Sequence, residues 1–135
     1  MAKLLSTKYS NAGISLTLLL LRLLFGGLIM THGWPKLVNF STYAQKFADP
    51  FGIGKTASLG LTIFAEFFCG ALVLVGLLTR FATVPLIICF VVIVFMIHGG
   101  DPIGKRELAI MFLTGFTALL IAGPGKYSLD GALGN

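Results

Sequence analysis

Four apolar runs dominate this chain, at residues 14–31, 57–78, 81–97 and 108–122, and none shows the two-residue alternation of a half-buried strand. Each is near the length, about twenty residues, that carries an α-helix through the roughly 30 Å hydrocarbon layer of a bilayer. Such runs can also be buried inside a soluble core, so the rest of the chain has to decide. Here 56% of the 135 residues are hydrophobic and 11% are charged, with a mean hydropathy of +0.95. Soluble domains carry roughly 45–50% apolar and about 25% charged residues. Too few polar side chains remain to face water, and a transmembrane barrel would need many more segments. The sequence therefore predicts an all-α polytopic membrane protein. It is read as an antiparallel bundle of four transmembrane helices, a single membrane domain over residues 1–135.

The punctuation between the runs supports this reading. A tail with Lys3 and Lys8 precedes the first run, as in a signal peptide, but that run contains Arg22 and lacks a small-residue cleavage site after it, so it is read as a retained helix. Only Thr79 and Arg80 separate the second run from the third, which forces a helical hairpin. Pro85 falls in the first turn of the third helix, where a missing N–H costs little. His98-Gly99-Gly100-Asp101-Pro102 stops that helix, and Gly123-Pro124-Gly125 stops the fourth. The fourth run is the shortest, about 22 Å by helical rise, and needs its flanks Lys105, Arg106 and Lys126 to reach across. Between the first two runs, Phe40, Tyr43, Ala44, Phe47 and Phe51 recur at near-helical spacing until Pro50, Gly52 and Gly54 interrupt them. With Ser41 placed to cap, residues 40–51 are expected to form a short amphipathic helix at headgroup level, or else a loop that packs its aromatics inward.

The net charge is +5 and the pI about 9.5. The basic residues are scattered rather than clustered, which argues against a nucleic-acid partner and for lipid headgroups. Lys3, Lys8, Arg80 and Lys126 fall on one side of the predicted bundle, and Lys36, Lys46, Lys55, Lys105 and Arg106 on the other, leaving little bias for orientation. The two termini share a side. The lysines of the N-terminal tail place that side in the cytoplasm, in a multi-pass protein of the inner (plasma) membrane.

Arg22 and Glu66 lie deep in apolar runs, where an isolated charge costs several kcal/mol. With antiparallel helices both fall near the midplane, and Gly26 and Gly70, four residues further on, allow the backbones to approach. The pair is expected to touch, as a structural ion pair or as part of a proton or quinone site. A second group gathers at the end opposite the N-terminus: His32 leaves the first helix there, His98 ends the third and Glu107 begins the fourth, with Lys36 and Asp101 adjacent. Two imidazoles and a carboxylate at one mouth can relay protons, bind a polar headgroup or hold a metal, or each can cap its own helix. Haem ligation would need His32 and His98 face to face, and both lie too near the surface. Cys69 and Cys89 sit at similar depth beside the hairpin, as packed thiols or a redox pair. No CxxC or zinc spacing is present.

Three stretches then carry a resemblance. They are Leu20-Leu21-Arg22-Leu23 through His32-Gly33 to Lys36-Leu37; Glu66 to Gly70 with Gly76-Leu77-Leu78-Thr79-Arg80; and Glu107-Leu108-Ala109 with Gly123-Pro124-Gly125-Lys126-Tyr127-Ser128-Leu129-Asp130. In their order and spacing they resemble the DoxX family of small four-helix membrane proteins. The resemblance implies the four-helix fold and, more loosely, a redox setting, since that family takes its name from subunits linked to quinone-dependent oxidation of sulfur compounds. The chain has no flavin, haem, iron–sulfur or dithiol motif of its own. Any electron transfer must therefore use a bound quinone or the cofactor of a partner. One expectation is a redox-associated membrane subunit that binds quinone or relays protons. The other is a non-enzymatic module that binds lipid, a membrane-protein partner or a second copy of itself.

Overall fold

The first apolar run does not stop where its hydropathy does. In the computed structural model, which describes residues 2–134, helix α1 runs without a break over Asn11–Val38, well past Thr31. Ser10 starts it by accepting a hydrogen bond from the amide of Gly13 at 2.9 Å. Gly33 and Pro35 do not end it. Gly33 is buried against the next helix, where a Cβ would meet the amide nitrogen of Phe67 at 2.9 Å and the Glu66 Cβ at 3.0 Å. Pro35 removes one donor, yet its own carbonyl still accepts from Asn39 at 3.0 Å. This extra stretch carries His32 and Lys36 as helical residues rather than loop residues.

After a single short helix α2 (Phe40–Ala44) and a loop, the chain forms α3 (Lys55–Val75), α4 (Thr79–Ile97), α5 (Ile103–Ala122) and a C-terminal turn α6 (Leu129–Ala132). A 3-10 turn, Ala2–Leu5, precedes α1, and there is no strand among the described residues. Helix α2 is shorter than residues 40–51 suggest. Its N-cap is Asn39 rather than Ser41, because α1 extends to residue 38, and turns replace helix from residue 45 onward. Helices α1, α3 and α4 are long and apolar enough to cross a membrane, with 28, 21 and 19 residues. Helix α5 has 20 residues and holds Lys105, Arg106 and Glu107 near its start.

Contacts set the register of α1 on α3. A Cβ at Gly26 would stand 2.9 Å from the Leu74 amide nitrogen and 3.0 Å from the Gly70 carbonyl, while one at Gly70 would meet Ile29 at 2.7 Å. The two backbones are thus in contact where small residues allow it. Helix α5 packs on α4 and α1 through rings: Phe90, Phe112 and Phe116 stack at centroid distances of 5.2–6.1 Å, and Phe25 meets Phe112 edge-on at 5.9 Å. The outward faces stay apolar, with Leu20, Leu24, Phe68, Phe81, Ile88 and Phe95 all exposed. That surface would invite aggregation in water, and lipid satisfies it.

All three long apolar helices contain a π-helical stretch, at Arg22–Gly26, Phe64–Cys69 and Ile93–Ile97. Such turns are often found where a helix carries functional side chains. Two of them hold the buried charges Arg22 and Glu66.

Candidate functional site

Close packing at Gly33 has a consequence one turn later. It brings α1 near enough to α3 for the Lys36 ammonium to reach the Glu66 carboxylate, with Nζ to Oε1 at 2.5 Å. Glu66 is sealed, its side chain 4% exposed, whereas Lys36 keeps 19% of its surface open. The open side of Lys36 faces a cavity of about 570 Å³. Phe64 and Ala65 of α3 and Ile88, Val92 and Ile93 of α4 are among the apolar residues of its walls. Ser58, Thr62, Cys89 and His98 add a few polar atoms. Thr62 Oγ1 donates to the Ser58 carbonyl at 2.9 Å, so that hydroxyl's hydrogen is already committed. At the rim His98 Nδ1 bonds Asp101 Oδ2 at 2.8 Å, leaving Nε2 uncommitted to that partner. A volume in the hundreds of Å³, apolar walls and a few convergent polar groups are the usual marks of a small-molecule site.

The loop after α2 roofs this cavity with Phe47, Ala48, Pro50, Phe51 and Ile53. Its shape depends on Asp49, whose carboxylate accepts from the amides of Ile53 (3.0 Å) and Gly54 (2.9 Å) and from the Ser58 hydroxyl (2.9 Å). Partial desolvation opposes ionisation of Asp49, but the bonds from Gly54, Ser58 and Ile53 outweigh it and hold the carboxyl below the usual carboxylate range. Gly52 and Gly54 take positive φ values of 68° and 108°, which only glycine adopts without strain.

The expected partnership of Arg22 with Glu66 is not what forms. Arg22 is 1% exposed and donates to three backbone carbonyls instead. Nε reaches Pro124 at 2.9 Å, Nη1 reaches Leu74 at 3.0 Å, and Nη2 reaches Tyr127. The reason is register. With α1 extended to residue 38, Arg22 lies opposite Leu74 and the end of α3, while Glu66 lies opposite Gly33 and Lys36. Asp130 completes the Arg22 end. Its carboxylate accepts from the amides of Leu78 and Thr79, both at 3.0 Å, and its own amide donates to Gly76 at 2.8 Å. It thereby caps α4 and supports Leu78, a non-glycine residue held at φ 50°. A Cβ on Gly76 would fall 2.4 Å from Ser128 and 2.6 Å from Arg22. The motif residues 76–80 and 123–130 are therefore two halves of one seal.

The histidine–carboxylate group is only partly assembled. His98 and Asp101 pair, and His98 and Lys36 share the cavity. His32 is exposed and lies edge-on against Phe112 at 5.8 Å, and Glu107 is exposed near the start of α5; neither lines the cavity. No group of three His, Cys, Asp or Glu suited to a metal occurs among the described residues. Cys69 and Cys89 are both free thiols, the first in the core and the second on the cavity wall. Asp49 and Ser58 went unnoticed in the sequence. Their only signal is an Asp placed before two turn glycines and a helix start.

Three long apolar helices, an apolar exterior and charges confined to a few interior contacts, helix ends and loops define a helical membrane protein. The DoxX family model matches residues 17–99, a stretch that includes Arg22, Lys36, Glu66, Cys89 and His98, and the chain belongs to the DoxX family. It is similar to Rv3486 of Mycobacterium tuberculosis (strain ATCC 25618 / H37Rv), called an uncharacterized membrane protein. The identity is 35% over 119 residues, covering 70% of this chain and 73% of that one. It is also similar to YqjF of Escherichia coli (strain K12), called an inner membrane protein, with 29% identity over 127 residues covering 91% of this chain and 93% of that one. No solved structure gives a significant match.

Proposed function

We propose that the chain is a four-span antiparallel bundle of the inner membrane, with both termini cytoplasmic, that binds a quinone in the roofed cavity as a redox-associated subunit. One observation carries the reading. The cavity is a largely apolar space ending on a lysine that is charge-balanced from behind by Glu66. A carboxylate behind the ammonium makes the pair neutral overall, so the site favours a head that accepts hydrogen bonds without carrying charge. Lys36 has further N–H donors for a quinone carbonyl. With Nδ1 turned to Asp101, His98 presents Nε2 as an acceptor for a quinol hydroxyl. The apolar walls suit an oily tail, and electrons come from a partner's cofactor. Helix α5 supports the fourth crossing. Its 20 residues span about 30 Å, and Lys105, Arg106 and Glu107 sit at one end.

The test is an optical spectrum and an organic extract of purified protein. Quinone near one equivalent, lost in Lys36→Ala, is the expected result. Phospholipid alone, unchanged in Lys36→Ala, would overturn the reading in favour of a lipid- or partner-binding module.

A further inference from the structure

The roof over the cavity is built unlike the rest of the molecule. Residues 45–54 contribute Phe47, Ala48, Pro50, Phe51 and Ile53 to the cavity lining, yet Phe51 and Ile53 are 59% and 50% exposed on their other sides. Among the described residues, two side-chain hydrogen bonds tie this segment to α3 beneath it, beside the backbone bond from the Ser58 amide to the Gly54 carbonyl at 2.9 Å that starts the helix. Lys55 Nζ donates to the Gln45 carbonyl at 3.2 Å on the exposed surface, and Ser58 Oγ donates to Asp49 Oδ1 at 2.9 Å. The remaining Asp49 bonds close on the amides of Ile53 and Gly54 and shape the loop from within. Gly52 and Gly54, both at positive φ and with open space where a Cβ would be, lie at the junction with α3, where the backbone can turn on the first helical turn that Gly54 anchors.

In water, lifting apolar side chains off an apolar cavity would be opposed by the hydrophobic effect. At the edge of a bilayer that penalty largely disappears, because Phe47, Phe51 and Ile53 can move from the cavity into lipid of equal polarity. The Lys55–Gln45 bond is long and exposed to water, so the strongest side-chain tie left to hold the roof shut is the charge-assisted bond between Asp49 and Ser58, and Ser58 is itself a wall of the cavity.

We propose that residues 45–54 are a lid over the cavity, latched to α3 by the Asp49–Ser58 hydrogen bond and hinged at Gly52 and Gly54. The latch controls access of solutes from the aqueous face. The inference gains its purpose from the reading of the cavity as a ligand site, but it is testable without any ligand.

Cys89 on the cavity wall is a built-in reporter, and Cys69, 1% exposed in the core, is its control. Full-length protein in nanodiscs is treated with a sulfonate-bearing methanethiosulfonate, which is charged and does not enter from lipid, and modification of each cysteine is followed by mass spectrometry. Ser58→Ala and Asp49→Asn are expected to speed modification of Cys89 roughly tenfold while Cys69 stays unreactive. Equal Cys89 rates in wild type and Ser58→Ala would overturn the lid. Should Asp49→Asn expose Cys69 as well, that variant has unfolded, and Ser58→Ala, which leaves the loop's own turn intact, decides. A latch that behaves as expected in protein holding no quinone would leave the lid standing and remove the quinone reading. Retained quinone with no effect of Ser58→Ala would do the reverse.

Discussion

At one end of the molecule Arg22 divides its guanidinium among the carbonyls of Leu74, Pro124 and Tyr127 and is sealed beneath the C-terminal turn. At the other, Lys36 makes one bond to Glu66 and keeps an open flank on a cavity. Both are cations inside apolar helices, and both must recover the cost of leaving water. Arg22 does so with backbone acceptors that cannot move away. Lys36 does so with a side-chain carboxylate and retains donors for something else. A fully satisfied charge fastens helices together, whereas a partly satisfied one beside a cavity is available for binding. By that criterion the Arg22 end is a structural seal, and the cavity end is the one we propose for ligand binding.

The sharpest way to break this contrast is at Arg22. Arg22→Met should strand the three carbonyls of Leu74, Pro124 and Tyr127, and we expect a loss of roughly 3–5 kcal/mol in unfolding in detergent. The folded fraction should still retain its ligand. A loss below about 1 kcal/mol would mean that the seal is ornamental.

Next in size is a double-mutant cycle at the other end. Lys36→Met and Glu66→Leu should each cost roughly 2 kcal/mol, and the double variant should recover about 1–2 kcal/mol of the sum, because removing both charges strands neither. Arg22 and Glu66 should instead be additive within about 0.5 kcal/mol. Strong coupling between those two would restore the pairing that their positions in the sequence suggest. Ligand retention should fall in every variant lacking Lys36.

His98→Ala should weaken binding of a quinone roughly tenfold without changing stability, the worth of one hydrogen bond at the rim. His32→Ala, which lies against Phe112 outside the cavity, should leave affinity within about twofold. Equal effects of the two would place the site elsewhere.

The smallest effect concerns acid. Asp49 is held below its ordinary range, so its bonds stabilise the loop at any pH above the unfolded carboxylate value of about 3.9 and are lost only as pH falls through the lower folded value. The Gly54 amide resonance should therefore stay fixed from about pH 8 to 5 and shift only in stronger acid. A midpoint near neutrality would show that another group controls the loop.

Much of the fold was legible before any coordinates, because helix existence depends on local hydropathy and length. Residues 57–78, 81–97 and 108–122 correspond to α3, α4 and α5 within a few residues at most ends. The first helix was misjudged where it mattered. His32-Gly33-Trp34-Pro35-Lys36 reads as a polar break, yet helix continues through it because Gly33 is packed against Glu66 and Phe67. A sequence shows that Gly33 is small but not that another backbone rests on it.

That single extension explains why candidate residues were found but wrongly joined. Charge in an apolar run is a local property, so Arg22, Lys36 and Glu66 could all be singled out by inspection. Which of them meet is a matter of register between helices, and register here follows from where Gly26, Gly33 and Gly70 let backbones touch. The seal depends on contacts across more than a hundred residues, from Arg22 to Pro124 and Tyr127, and no periodicity encodes them. Hydropathy, set residue by residue, determined that the chain belongs in a membrane. Close packing, set between distant segments, decided which charge is sealed and which one faces a cavity.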